Sequence, residues 1–181
     1  VAEELLVFSQ TVEGLIRALG DRLDAPTARQ LAEVGIDVYA RLLSSYPLAV
    51  WHQATLVGAK TMCPDAPVEV GLFELGKAFI HGYEATLLGR GTLTLARVLG
   101  PKRALQRMTR SFRDANNYTE TRMVDLGPGR VELWISKVVT VEFIRGMIVA
   151  GLEVSGAKSP RVETVSVDPE GTVYRLVWDE G

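Results

Sequence analysis

Tyr118-Thr119-Glu120-Thr121-Arg122-Met123-Val124-Asp125-Leu126, Gly127-Pro128-Gly129, then Arg130-Val131-Glu132-Leu133-Trp134-Ile135-Ser136-Lys137-Val138 is the stretch on which the fold turns. Val131, Leu133 and Ile135 alternate with Glu132, Trp134 and Ser136, the two-residue period of a strand with unlike faces. Gly127-Pro128-Gly129 supplies the turn, so a hairpin is expected, with strands over Tyr118–Leu126 and Arg130–Val138. Downstream, Phe143, Ile144, Met147, Ile148, Gly151 and Leu152 fall on one face of a helix over Val141–Val154. A second hairpin follows, Arg161–Val167 and Thr172–Trp178 about Asp168-Pro169-Glu170-Gly171. The C-terminal end therefore reads β-β-α-β-β.

Upstream of Asn117 the period is helical. Val12, Leu15, Ile16 and Leu19 mark a helix with Ser9 as its expected cap and Gly20 as its stop. Asp24 before Ala25-Pro26 caps a second helix, which ends at Gly35. Tyr46-Pro47 opens a third, with Val50, Trp51, Ala54 and Val57 on one face. Pro64 and Pro67 forbid a continuous helix, and Asp65 is expected to cap the longest one, whose inward stripe is Leu72, Leu75, Phe79, Ile80, Tyr83 and Leu87. Gly71, Gly76 and Gly82 each weaken that helix by about 1 kcal/mol relative to alanine, which points to close packing against another element or a ligand. Gly89-Arg90-Gly91 is read as a break, and Pro101 as the start of a helix carrying Ala104, Leu105, Met108 and Phe112 inward. The fold class is α+β: an N-terminal helical bundle packed with a four-stranded antiparallel sheet of two hairpins. Residues 1–181 are read as one domain.

With 181 residues, 47% of them hydrophobic and 23% charged, the chain is long and apolar enough to bury a core without staples. A net charge of -2 gives no overall pull toward nucleic acid or an anionic membrane, although a local patch could still supply one, and no nucleic acid is expected as a partner. Cys63 is the lone cysteine, which excludes an internal disulfide and suits a reducing, cytoplasmic compartment. No apolar run is long enough to span a membrane, and Val1–Phe8 lack the features of a signal peptide.

Chemistry is sparse. His52 and His81 lie on different helices with no carboxylate at a diagnostic spacing, so neither a metal site nor a catalytic set is assigned. Leu88-Gly89-Arg90-Gly91-Thr92 lacks the preceding strand and the Gly-Lys pair of a phosphate loop. Arg90, Arg97, Lys102, Arg103, Arg107, Arg110 and Arg113 form a cationic stretch, and Arg103, Arg107 and Arg110 are spaced to share a helix face that could bind phosphates, an anionic lipid surface or an acidic protein partner. Trp51, Phe79, His81, Tyr83 and Trp134 are the residues best suited to line an apolar ligand cavity.

Leu75-Gly76-Lys77-Ala78-Phe79-Ile80-His81-Gly82-Tyr83-Glu84-Ala85-Thr86, Leu99-Gly100-Pro101-Lys102-Arg103-Ala104-Leu105 and Asn116-Asn117-Tyr118-Thr119-Glu120 resemble segments of an uncharacterised family of small proteins expanded in myxobacteria. The element order resembles that of the superfamily joining heme-based nitric-oxide sensors, vinyl-reductase-type sensory domains and TRAPP small subunits. That resemblance implies a sensing or docking module, often dimeric, rather than an enzyme. Trp134-Ile135-Ser136-Lys137-Val138 keeps the serine of the heme sensors' Tyr-x-Ser-x-Arg motif but lacks its tyrosine and arginine. His81 sits on a central helix, as the sensors' iron ligand does. Cys63 alone does not reproduce the zinc-binding cysteines of the vinyl-reductase type, although TRAPP subunits hold an acyl chain on a cysteine. The expectation is a non-enzymatic sensory or regulatory homodimer that binds a small apolar molecule between the long helix and the sheet. A protein-docking scaffold is the alternative, with a heme sensor or an enzyme behind it; no cofactor is assigned.

Overall fold

The computed structural model describes residues 4–179. A short strand β1 (Leu6–Phe8) runs directly into α1 (Ser9–Leu19), followed by a 3-10 turn and α2 (Ala25–Glu33). Strand β2 (Ser45–Pro47) pairs antiparallel with β1 and leads into α3 (Leu48–Met62) and α4 (Val68–Glu84). Three shorter helices come next: α5 (Leu87–Leu99), α6 (Pro101–Gln106) and α7 (Met108–Ala115). The chain closes with β3 (Thr121–Gly127), β4 (Arg130–Ser136), α8 (Val141–Val154), β5 (Lys158–Val167) and β6 (Gly171–Asp179). The four last strands form one antiparallel sheet in the order β3-β4-β6-β5, so the two hairpins join through β4 and β6, with Leu133 opposite Tyr174.

Helix α8 lies between the helical layer and the sheet. Its Phe143 and Ala150 belong to the helical core, Ile148 and Leu152 to the sheet core with Leu133, Tyr174 and Leu176, and Ile144 and Met147 touch both. Two glycines let α4 and α8 cross at backbone contact. A Cβ on Gly76 would overlap the Phe143 carbonyl oxygen, and a Cβ on Gly146 would overlap that of Phe73. On the same helix, Gly71 sits against the Ala59 carbonyl of α3 and Gly82 against that of Gly14 in α1. The glycines of α4 are thus what allows the long helix to serve as the hub of the bundle.

Several local expectations are corrected. Ser9 is the first helical residue rather than the cap; Phe8 occupies the cap position with no side-chain bond, its backbone already fixed by β1. Asp24 does cap α2, its carboxylate accepting from the Thr27 N–H at 2.9 Å, and hydrogen bonding to Thr27 holds its pKa below the usual value. Asp65 caps nothing, because α4 begins at Val68 after Pro67. The chain breaks not at Gly89–Gly91 but at Thr86, whose hydroxyl donates to the Tyr83 carbonyl and accepts from the Gly89 N–H at 3.0 Å. Leu87 accordingly leaves the α4 stripe, starts α5 and faces solvent. The helix from Pro101 is two helices, since Arg107 closes a tight turn back to Ala104 and α7 restarts at Met108. Arg103, Arg107 and Arg110 are all exposed but do not share one helix face. The first hairpin strand begins at Thr121 rather than Tyr118, because Asn116 Oδ1 accepts from the N–H groups of Tyr118 and Thr119 and holds that segment in a turn. The β1–β2 pair was not anticipated; three-residue strands carry too few positions for alternation to register.

Candidate functional site

Between α4, α8 and the short helices α5–α7 lies a cavity of about 180 Å³ that reaches the sheet at Ile135. Its floor is an aromatic cluster from three helices. The Phe79 ring meets Phe143 edge-on at 5.4 Å between centroids and stacks on Tyr83 at 5.7 Å, while Trp51 stands edge-on to Phe79 and Phe143. Such pairs add to area burial and favour one arrangement of the rings. The roof is apolar and mostly aliphatic: Leu93 and Ala96 of α5, Ala104 and Leu105 of α6, and Met108 with the aromatic Phe112 of α7.

Several polar residues of the wall spend their hydrogen bonds on backbone. The Thr11 hydroxyl donates to the Ala115 carbonyl at 3.0 Å, and the Ser155 hydroxyl to that of Leu152 at 2.8 Å. Ser136 Oγ donates to the Tyr118 carbonyl and accepts from the Glu120 N–H, so the serine retained from the resemblance noted above is committed to local structure. The void is therefore faced mainly by carbon. Desolvation pushes the phenols of Tyr83 and Tyr118 up from their ordinary pKa, so both remain neutral hydroxyls at physiological pH. Among the described residues the lining holds one charged side chain, Lys137, which is exposed, and no histidine or cysteine.

Of the residues singled out for a cavity, the structure brings together Trp51, Phe79 and Tyr83. His81 does not join them: it is exposed on α4, one position from the buried Ile80 and Gly82. Trp134 lies on the opposite side of β4 from Leu133 and Ile135, with the Arg122 guanidinium 4.5 Å from its ring centroid. Its place in the alternation already put it opposite the core face. Missed in the sequence were Phe143, Met108, Tyr118 and Gly151, all of which line the cavity. Phe143 and Met108 read as ordinary core, Tyr118 as the first residue of a strand, and Gly151 as one apolar position among many. Cys63 is half-buried at the end of α3 and lies away from the cavity wall. No group of three or more His, Cys, Asp or Glu able to hold a metal occurs among the described residues. No helix of the described residues is long and apolar enough to cross a membrane.

An α+β chain in which a helix hub close-packed through its glycines and a two-hairpin sheet flank an apolar cavity has counterparts among solved structures. The fold is shared with an H-NOX protein from S. oneidensis, solved in the Fe(II)NO ligation state, at a TM-score of 0.71 and 10% identity over 96% of this chain and 99% of that one. An oxygen-binding H-NOX domain related to soluble guanylate cyclases gives a TM-score of 0.67 at 16% identity, covering 93% of each chain. A structure from work on modulating heme redox potential through protein-induced porphyrin distortion gives 0.70 at 15% identity, again over 93% of each. In sequence, residues 5–179 match the model of a protein family of unknown function, DUF2378, and the chain belongs to that family. No curated protein matches it in sequence.

Proposed function

We propose that the protein is a non-enzymatic sensory or regulatory module whose cavity binds a small apolar molecule other than heme. The carrying observation is the cavity itself, an apolar void above an aromatic floor in a fold shared with ligand-binding domains. Its volume of about 180 Å³ compares with the roughly 150 Å³ of an engineered apolar cavity that takes up benzene or xenon, and is below the roughly 300–1,000 Å³ of drug-sized pockets. A ligand of one ring or a short branched chain matches that space.

The wall does not fit a heme. Iron is held by histidine, cysteine thiolate, methionine with histidine, or tyrosine, and the lining offers neither histidine nor cysteine. Tyr83 and Tyr118 are kept protonated by desolvation, which opposes their use as tyrosinate ligands. Lys137 alone could meet two propionates.

A thermal-shift titration with benzene and toluene tests the reading, alongside native mass spectrometry of the protein as purified. Binding raises Tm by mass action. A Cβ on Gly151 meets nothing within 4 Å, so Gly151→Leu fills the void and should abolish the shift while the domain stays folded. Absence of both a shift and a co-purified small mass would sink the proposal, and a Soret band in the visible spectrum would replace it with a heme protein.

A further inference from the structure

Helix α5 buries Gly89 and Leu93 and leaves its other face open. That outer face is apolar: Leu87 is 87% exposed, Val98 79% and Leu95 41%. With Gly91, where no neighbour approaches, they recur at helical spacing along the whole helix, forming one stripe. Isolated exposed aliphatics are ordinary, but here arginines border the stripe. Arg90 and Arg97 lie to one side by their position on the helix. On the other, Arg107 and Arg110 line a shallow cleft with Leu95 and Leu99, in which Asp114 also takes part.

The charge is segregated as well. Residues 86–115 hold seven of the chain's 20 Lys and Arg but one of its 22 Asp and Glu, a net charge of +6 within a chain whose total is -2. Arg97 pairs with Glu84 and Lys102 with Asp125. Arg90, Arg103, Arg107, Arg110 and Arg113 form no ion pair among the described residues.

We propose that the α5–α7 face docks on an anionic lipid bilayer, with α5 lying in the plane of the interface. Such a surface supplies hydrocarbon for the Leu87–Val98 stripe and phosphate for the flanking guanidinium groups, whose long stems can lie along the apolar layer while their heads reach the charge. Neither element suffices alone. Three aliphatic side chains insert weakly, and a basic patch is screened by salt; together they are the two signals that stable surface binding takes. The proposal is independent of what the cavity holds.

Co-sedimentation with phosphatidylcholine vesicles, with and without phosphatidylglycerol, tests it on the full chain. The protein should pellet with the mixed vesicles, and added salt should weaken the binding. Arg107→Glu combined with Arg110→Glu should reduce partitioning about tenfold or more. Leu87→Ser combined with Val98→Ser should reduce it several-fold, with melting temperatures unchanged because all four positions are exposed. Equal pelleting with neutral and anionic vesicles, no pelleting with either, or indifference to the stripe substitutions would overturn the proposal. So would capture on polyglutamate without vesicle binding, which would assign the face to an acidic protein.

Discussion

The two sides of the cavity are held in different ways. Below it, α4 and α8 cross at backbone contact, with Gly76 and Gly146 each set against a carbonyl of the opposing helix and an aromatic cluster closing the crossing at Phe79 and Phe143. Above it, three helices in succession cover the void, the last two only six and eight residues long, with exposed aliphatics on the outside and arginines most of which form no ion pair among the described residues. A close-packed crossing has one arrangement and little room to adjust. Short helices joined by tight turns can open locally at lower free energy, which suits the side through which a ligand enters. The difference separates a scaffold from a cover, and substitutions on each side should behave accordingly.

The largest effect is expected at the crossing. Gly146→Ala places a methyl group on the Phe73 carbonyl oxygen, and α4 and α8 must move apart to accept it. Alanine's better helix propensity, worth about 1 kcal/mol, is outweighed by an overpacking cost near 3 kcal/mol. Urea denaturation should show a net loss of about 2 kcal/mol or more, and an unchanged midpoint would mean that the crossing is not close-packed. A smaller loss is expected where floor passes into roof. Thr86 is buried, and its hydroxyl both accepts from Gly89 and donates to Tyr83. Thr86→Val removes the cap of α5 and leaves two backbone groups without that partner, costing about 1–2 kcal/mol in the same assay. If the cover opens separately from the scaffold, hydrogen exchange in α5–α7 should rise in this variant while α4 and α8 stay protected; uniform acceleration would erase the distinction drawn here.

Legibility in the sequence follows the same division. Helix α8 and the inner strands β4 and β6 could be read because one side of each is buried along its length, so the period of two or 3.6 is uninterrupted, as at Val131-Glu132-Leu133-Trp134-Ile135. The mostly exposed edge strands β3 and β5 were placed instead by the turns that join them to these. The close approach of α4 was legible in Gly71, Gly76 and Gly82, although its partners, Ala59, Phe143 and Gly14, lie on three other helices and left no local mark. The cover was misread. Gly89 and Gly91 suggested a break in what is a continuous helix, because Gly89 is there for contact with the Tyr83 backbone and not for a turn. The split at Arg107 has no proline or glycine to announce it. Trp51, Phe79 and Tyr83 converge on the cavity, whereas His81 and Trp134 face away from it; an aromatic ring suits both a core and a cavity wall, and only the element's orientation in three dimensions separates the two.

The smallest expected effect returns to α8. Gly151 lies on the same helix as Gly146 but faces the void, so the methyl group of Gly151→Ala meets no neighbour within 4 Å. Both substitutions add one methyl group and the same helix propensity. They should nevertheless differ in sign: Gly151→Ala is expected to raise stability by about 0.5–1 kcal/mol, through lower conformational entropy of the unfolded chain, where Gly146→Ala lowers it. Comparing the two midpoints in urea cancels the propensity term and leaves the local space as the variable. If Gly151→Ala destabilised the protein as Gly146→Ala does, the wall of α8 facing the cavity would have to be as closely packed as the crossing, and there would be no room beside it for a ligand.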